Sequence, residues 1–191
     1  MEDTAKYCRT GVGYPFWDIS KLNYERYKKL KIEYDSKETS NNPDEKWEWS
    51  DLEDEKDHAG FIAIVFAAIY IEAEAYTYLS THLGDSYVKT HLDKLDPLSK
   101  WLVGVKLVTG NSLAKSGQAY EHCKSLFKYR NKIVHHKSKP FEFNAEKMSI
   151  LIEEGERGFH SAVLSSNIAV KELSKEIDSL HQGLGKPFSF I

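Results

Sequence analysis

Cysteine is scarce in this 191-residue chain: Cys8 and Cys123 are too few for a disulfide scaffold and show no metal-ligand spacing. Five prolines and eleven glycines exclude a collagen-like chain, and 13% aromatic residues argue against a disordered one. There is no internal repeat, no glycine-rich phosphate loop and no strand-type alternation. The opening decapeptide MEDTAKYCRT lacks the apolar centre of a secretion signal, so a reducing, cytoplasmic setting is expected. The longest apolar run, Ala59 to Ile71, ends at Glu72 and falls short of the ~20 residues a membrane span needs, so it reads as a buried helix and no membrane partner is expected. What the chain does have is 41% apolar and 29% charged residues, enough for one domain, residues 1–191, with its own core.

The net charge of -3 hides an uneven distribution. Glu33 to Asp57 holds eleven acids against three lysines, whereas Pro97 to Pro140 holds nine bases against Glu121 alone. A positive segment inside a mildly acidic protein suits a local polyanion site, while an isoelectric point near 6.2 argues against unselective coating of DNA or RNA.

Helical spacing dominates the pattern. Pro15 to Asp35 carries apolar residues at Phe16, Ile19, Leu22, Tyr27, Leu30 and Tyr34. Lys37 to Ser50 has no period and contains SNNPDE, which predicts an acidic loop holding Trp47 and Trp49. Asp51 to His82 is expected as one long helix stopped by Gly84, its acidic start matched to the positive helix pole. Shorter helices follow at Ser86–Leu95 and Leu98–Val108, then one from Gly117 or Gln118 to about His136. Asn144 is a good N-cap for a long last helix to Gln182, with Ile152, Phe159, Val163, Val170, Leu173, Ile177 and Leu180 as its inner stripe. Residues 183–191 form an apolar tail. The fold expected is all-α, a bundle of four to five helices with a long C-terminal helix.

Two charges fall where apolar residues belong. At about 100° per residue, Arg130 lands within the stripe of Ala119, Cys123, Leu126, Phe127, Ile133 and Val134. Glu72 likewise lands among Phe61, Val65, Ile69, Tyr76 and Leu79. Burying an unpaired ion costs several kcal/mol, so Glu72 and Arg130 are expected to meet across the two helices. Asn131 and His135 share one flank of the same helix, and Lys124 and Lys128 adjoin it.

The stretch Lys128-Tyr-Arg130-Asn131-Lys132-Ile-Val-His135-His136-Lys137 resembles the hallmark of the HEPN superfamily (higher eukaryotes and prokaryotes nucleotide-binding domains): Arg, a polar residue, three more residues, then His. The lead-in from Tyr120 to Phe127 and the acidic Glu72 are similar to the family pattern as well, so the resemblance covers roughly Phe61 to Lys137. It implies a HEPN-like bundle that dimerises with two motifs facing one cleft, and an endoribonuclease that uses neither metal nor cofactor. His135 would be the general acid/base, Arg130 would stabilise charge on the transition state, and Asn131 would orient the phosphate or His135. Glu72 and His136 would support them, and Lys124, Lys128, Lys132 and Lys137 would bind RNA in single-stranded or loop regions. Metal-free cleavage by 2′-hydroxyl attack, giving a 2′,3′-cyclic phosphate, needs just such a group titrating near neutrality beside a planar cationic fork. The resemblance further implies a toxin or host-defence role and leaves room for an inhibitory protein partner. Lys137 stands where the subgroup silenced by a nucleotidyltransferase has Tyr. A second reading is a non-catalytic helical module that binds nucleotide, RNA or protein, with Arg130 and Glu72 as a purely internal pair.

Overall fold

A computed structural model describes residues 13–38, 46–135 and 144–181. Among them are six α-helices and no strand: α1 (Gly13–Glu38), α2 (Lys46–Leu83), α3 (Asp85–Tyr87) running into a π-helical turn (Val88–Leu92), α4 (Pro97–Thr109), α5 (Gln118–Val134) and α6 (Ala145–Leu180). The all-α expectation holds. One of the six helices is a single three-residue turn, and the C-terminal helix is long, as its stripe implied.

Helix α2 is the spine, because its buried face is built of small residues. Ala59, Ala63, Ala67, Ala68 and Ala75 are almost wholly sealed, together with Ile64, Ile71 and Leu79. α1 runs antiparallel along it: Trp17 stacks on Tyr70 at 5.7 Å, the buried Ser20 hydroxyl donates to the Ala63 carbonyl at 2.9 Å, and Arg26 reaches Glu55 at 3.0 Å. The outer face of α1 carries helical-spaced ion pairs such as Lys21–Asp18 and Lys37–Glu33, each contributing a few tenths of a kcal/mol. α6 runs antiparallel to α5, with the Tyr129 hydroxyl beside the Gly155 carbonyl and His122 bonded to Ser165. Cys123 is sealed in this contact, and burial pushes its thiol up to about 12.

Helix ends follow their chemistry. Gly84 adopts φ 84° and ends α2, and Gly110 at φ 74° ends α4, both in the left-handed region that favours glycine. Asp96 caps α4 by accepting from the Leu98 and Ser99 amides, with Pro97 at the first helical position. Asn144 caps α6 through the Lys147 amide. The far end of α6 is tied down by Glu176, which accepts from the Ala114 amide at 2.7 Å, and by buried His181, whose Nε2 lies 2.8 Å from the Tyr78 hydroxyl.

Some expectations need correction. The loop expected over Lys37–Ser50 is shorter: α1 continues to Glu38 and α2 begins at Lys46, with 39–45 outside the described residues. Trp47 and Trp49 therefore stand on the first turns of α2. No residue from Trp49 to Glu55 is buried, so this part of α2 needs no apolar period, and carboxylates there suit a helix N-terminus. Ile152 and Val134, expected inside, are about half exposed, because the N-terminal part of α6 and the last turn of α5 also extend beyond the core. Leu22 is exposed as well. The tail, 183–191, lies outside the described residues. Trp49–Leu83 is long and apolar enough to cross a membrane by length and composition, yet more than half of its most apolar window is buried inside the chain.

Two outcomes follow from this packing. A Cβ on Gly104 of α4 runs into the buried Leu79 side chain of α2, so Gly104→Ala should destabilise the chain by about 1–3 kcal/mol in urea unfolding despite the better helix propensity of alanine. His82 sits 5.0 Å from the His181 ring, and burial, then the His181 charge, holds its pKa below the ordinary 6.5. The unfolded chain therefore takes up the proton first; the stability is full above about pH 6.5 and is lost as pH falls below it. Thermal midpoints measured between pH 7 and 5 should fall less steeply for His82→Gln than for the wild type.

Candidate functional site

The motif occupies the C-terminal end of α5. Ala119, Cys123, Leu126 and Phe127 are buried on its inner face, and periodicity carries that face on to Arg130 just where the helix begins to leave the core. The result is a guanidinium at the core boundary, its side chain 26% exposed, facing Glu72 of α2 at 40%. The expected meeting of the two charges is present: Arg130 Nη2 lies 3.7 Å from Glu72 Oε2. Both stand at the edge of the core and not at its centre, as their partial exposure shows. Arg130 Nη1 donates to Asn131 Oδ1 at 3.0 Å. Arg130 Nε is shielded from solvent and has no acceptor among the described residues.

Asn131 and His135 are exposed. His135 is the C-cap of α5 (φ -114°, ψ 37°), and its amide donates to the Asn131 carbonyl at 3.0 Å. The structure thus brings Arg130, Asn131 and Glu72 together and places His135 one turn beyond Asn131 with its ring open to solvent. Among the described residues no side-chain hydrogen bond joins His135 to Arg130. His136 and Lys137 lie outside the described residues.

The lysines differ in their engagement. Lys124 lies 3.9 Å from Glu121 and over the Tyr120 ring at 5.9 Å, Lys132 lies over the Tyr129 ring at 5.2 Å, and Lys128 is exposed. Exposed pairs of this kind are weak and leave their cations free to exchange partners. Among the described residues, no three of His, Cys, Asp and Glu gather in a group that could hold a metal ion.

A concavity away from the motif was not anticipated from the sequence. Tyr27, Tyr34, Lys56, Tyr129, Phe159 and His160 are among the side chains lining a cleft of about 470 Å³ at the junction of α1, α2, α5 and α6. The signal available was faint: His160 directly follows a stripe position, Phe159, and Lys56 sits one turn before the apolar run of α2.

The Glu72–Arg130 contact is testable by a double-mutant cycle. With both side chains partly solvated, Glu72→Gln and Arg130→Gln should show a coupling of about 0.5–1 kcal/mol in urea denaturation. A coupling of zero would remove the pair from the site. Set against family models, curated proteins and solved structures, the chain has no match in any of the three comparisons, so the site stands on its own geometry.

Proposed function

We propose that this chain is a HEPN-like, metal-independent endoribonuclease that works as a homodimer in the cytoplasm, in a toxin or host-defence role. The single observation carrying the reading is the end of α5. Its arginine is held at the protein surface by Glu72 and Asn131, with an exposed histidine one turn further on. Motif residues sealed in a monomer core would have spoken against it.

In the proposed reaction the 2′-oxygen of RNA attacks the adjacent phosphorus. The new O2′–P bond forms as the P–O5′ bond breaks, leaving a 2′,3′-cyclic phosphate and a 5′-hydroxyl. The proton lost by the 2′-oxygen passes to one imidazole, and the departing 5′-oxygen takes a proton from another. His135 supplies one of these groups, and a second copy of the motif across a dimer axis supplies the other. Arg130, oriented by Glu72, offers planar donors to the phosphate oxygens as their charge grows. Asn131 positions the guanidinium and the phosphate. Lys124, Lys128 and Lys132 supply sequence-independent attraction for the RNA backbone, with Lys137 following on the same segment.

One observation favours a second reading. Both terminal nitrogens of Arg130 already have partners within the chain, Glu72 and Asn131. That suits a non-catalytic helical module binding RNA, nucleotide or protein, in which the ion pair merely sets helix register.

Incubating the full chain with total RNA in the presence of a chelator, then mapping 3′ ends, separates the two. The nuclease reading expects cleavage leaving cyclic phosphate ends, reduced at least ~100-fold in both Arg130→Ala and His135→Ala while circular dichroism stays unchanged. Absence of cleavage by the wild type, or cleavage that the chelator abolishes, overturns it. RNA binding without cutting supports the second reading.

A further inference from the structure

The cleft at the junction of α1, α2, α5 and α6 has one aromatic wall and one polar wall. The Phe159 ring packs with Phe61 at 4.8 Å and with Tyr129 and Tyr27 at 5.9 Å each, tilted to them by 46°, 37° and 88°, which makes a faceted apolar wall. On the polar side, the Tyr27 hydroxyl lies 3.0 Å from His160 Nδ1. The Lys56 ammonium sits 3.3 Å from Asp57 and 4.3 Å from the centre of the Tyr34 ring.

The Tyr27–His160 pair fixes a tautomer. Tyr27 is 1% exposed and its hydroxyl has no other acceptor among the described residues, so it donates to Nδ1. Burial, and then the charge of Lys31, keeps His160 below the ordinary histidine pKa, with Lys56 acting in the same direction and the Asp35 carboxylate opposing them. At neutral pH the ring is uncharged and its proton is on Nε2, the one polar ring atom left for a ligand.

Charge narrows the ligand class. Four carboxylates and three cations line the cleft, and Lys31 and Lys56 are already paired with Asp35 and Asp57. An anion would meet the exposed Arg157 but also the carboxylates of Glu53 and Glu156, and the lining as a whole, four carboxylates to three cations, gives it no net attraction. Ring faces with a single fixed neutral donor suit flat molecules that carry an acceptor in the ring. Gly155 shapes the opening: it lines the cleft between Leu151 and Phe159, and a Cβ there meets nothing within 4 Å.

We propose that this cleft binds an uncharged planar heteroaromatic molecule of about nucleoside size, seated against the apolar wall of Phe61, Tyr129 and Phe159 and accepting a hydrogen bond from His160 Nε2. The proposal shares no residue with Arg130, Asn131, His135 or Glu72, so it stands or falls apart from the nuclease reading.

The test is calorimetric titration of the full chain with adenosine, indole, riboflavin and AMP. At least one of the three uncharged probes should bind with a Kd below about 1 mM, and AMP should bind at least about tenfold more weakly than adenosine. Gly155→Trp, which introduces a bulky ring on the cleft lining at a position where a Cβ meets no atom within 4 Å, should weaken binding at least about tenfold without lowering the thermal midpoint. His160→Phe keeps a ring and removes the donor; it should weaken binding too, and it serves as the second variant if Gly155→Trp does not fold. Failure of every uncharged probe to bind at about 1 mM, tighter binding of AMP than of adenosine, or binding indifferent to both substitutions overturns the proposal.

Discussion

Small residues along α2 let other helices come close enough to share its backbone. The Ser20 hydroxyl of α1 and the Trp101 indole of α4 each donate to an α2 carbonyl, of Ala63 and Ile71, from 43 and 30 residues away in the chain. Such bonds form only where no large side chain stands between the helices, and Ala63, Ala67 and Ala75 meet that condition. Gly60 acts in the same way toward α6, where the Phe159 ring occupies the place of its missing side chain. Close approach then fixes register: each donor has one carbonyl to reach, and a slip by one turn would leave buried polar atoms unpaired.

The acids of α2 divide according to this packing. Glu74 points into the protein, and burial raises its carboxyl above the usual range. Glu72, two positions earlier, emerges at the edge and holds Arg130. A helix otherwise apolar over this span thereby carries one group that favours the neutral form and one that serves as a counter-ion. The second lets an arginine lie against the core boundary with one of its own nitrogens shielded from water.

Much of this arrangement was legible in the sequence because period and punctuation agree. The run Ala59–Ile71, Gly84 and Asn144 each mark an element or an end that the structure contains, and the misplaced charges Glu72 and Arg130 pointed to one another. Less legible were the ends that overrun the core. A stripe such as Ile152 to Leu180 shows which face is apolar but not where the neighbouring helix stops, so Ile152 and Val134 read as buried and are not. The cleft was invisible for a related reason. Its walls come from helices far apart in the chain, and the pairing of Tyr27 with His160 spans 133 residues. His135 was readable as lying on the Asn131 flank near the end of a helix, whereas its place at the C-cap itself, one residue past the last helical turn, was not.

Cys123 gives the molecule an internal gauge of its own breathing. The thiol is fully enclosed where α5 meets α6, and its ionisation is suppressed near Glu176. An alkylating reagent reaches it only in moments when the hairpin of α5 and α6 parts, since the reactive species is an exposed thiolate. The labelling half-life thereby converts into the free energy of that local opening. The helix whose end carries the arginine motif thus also carries the means of timing its own excursions.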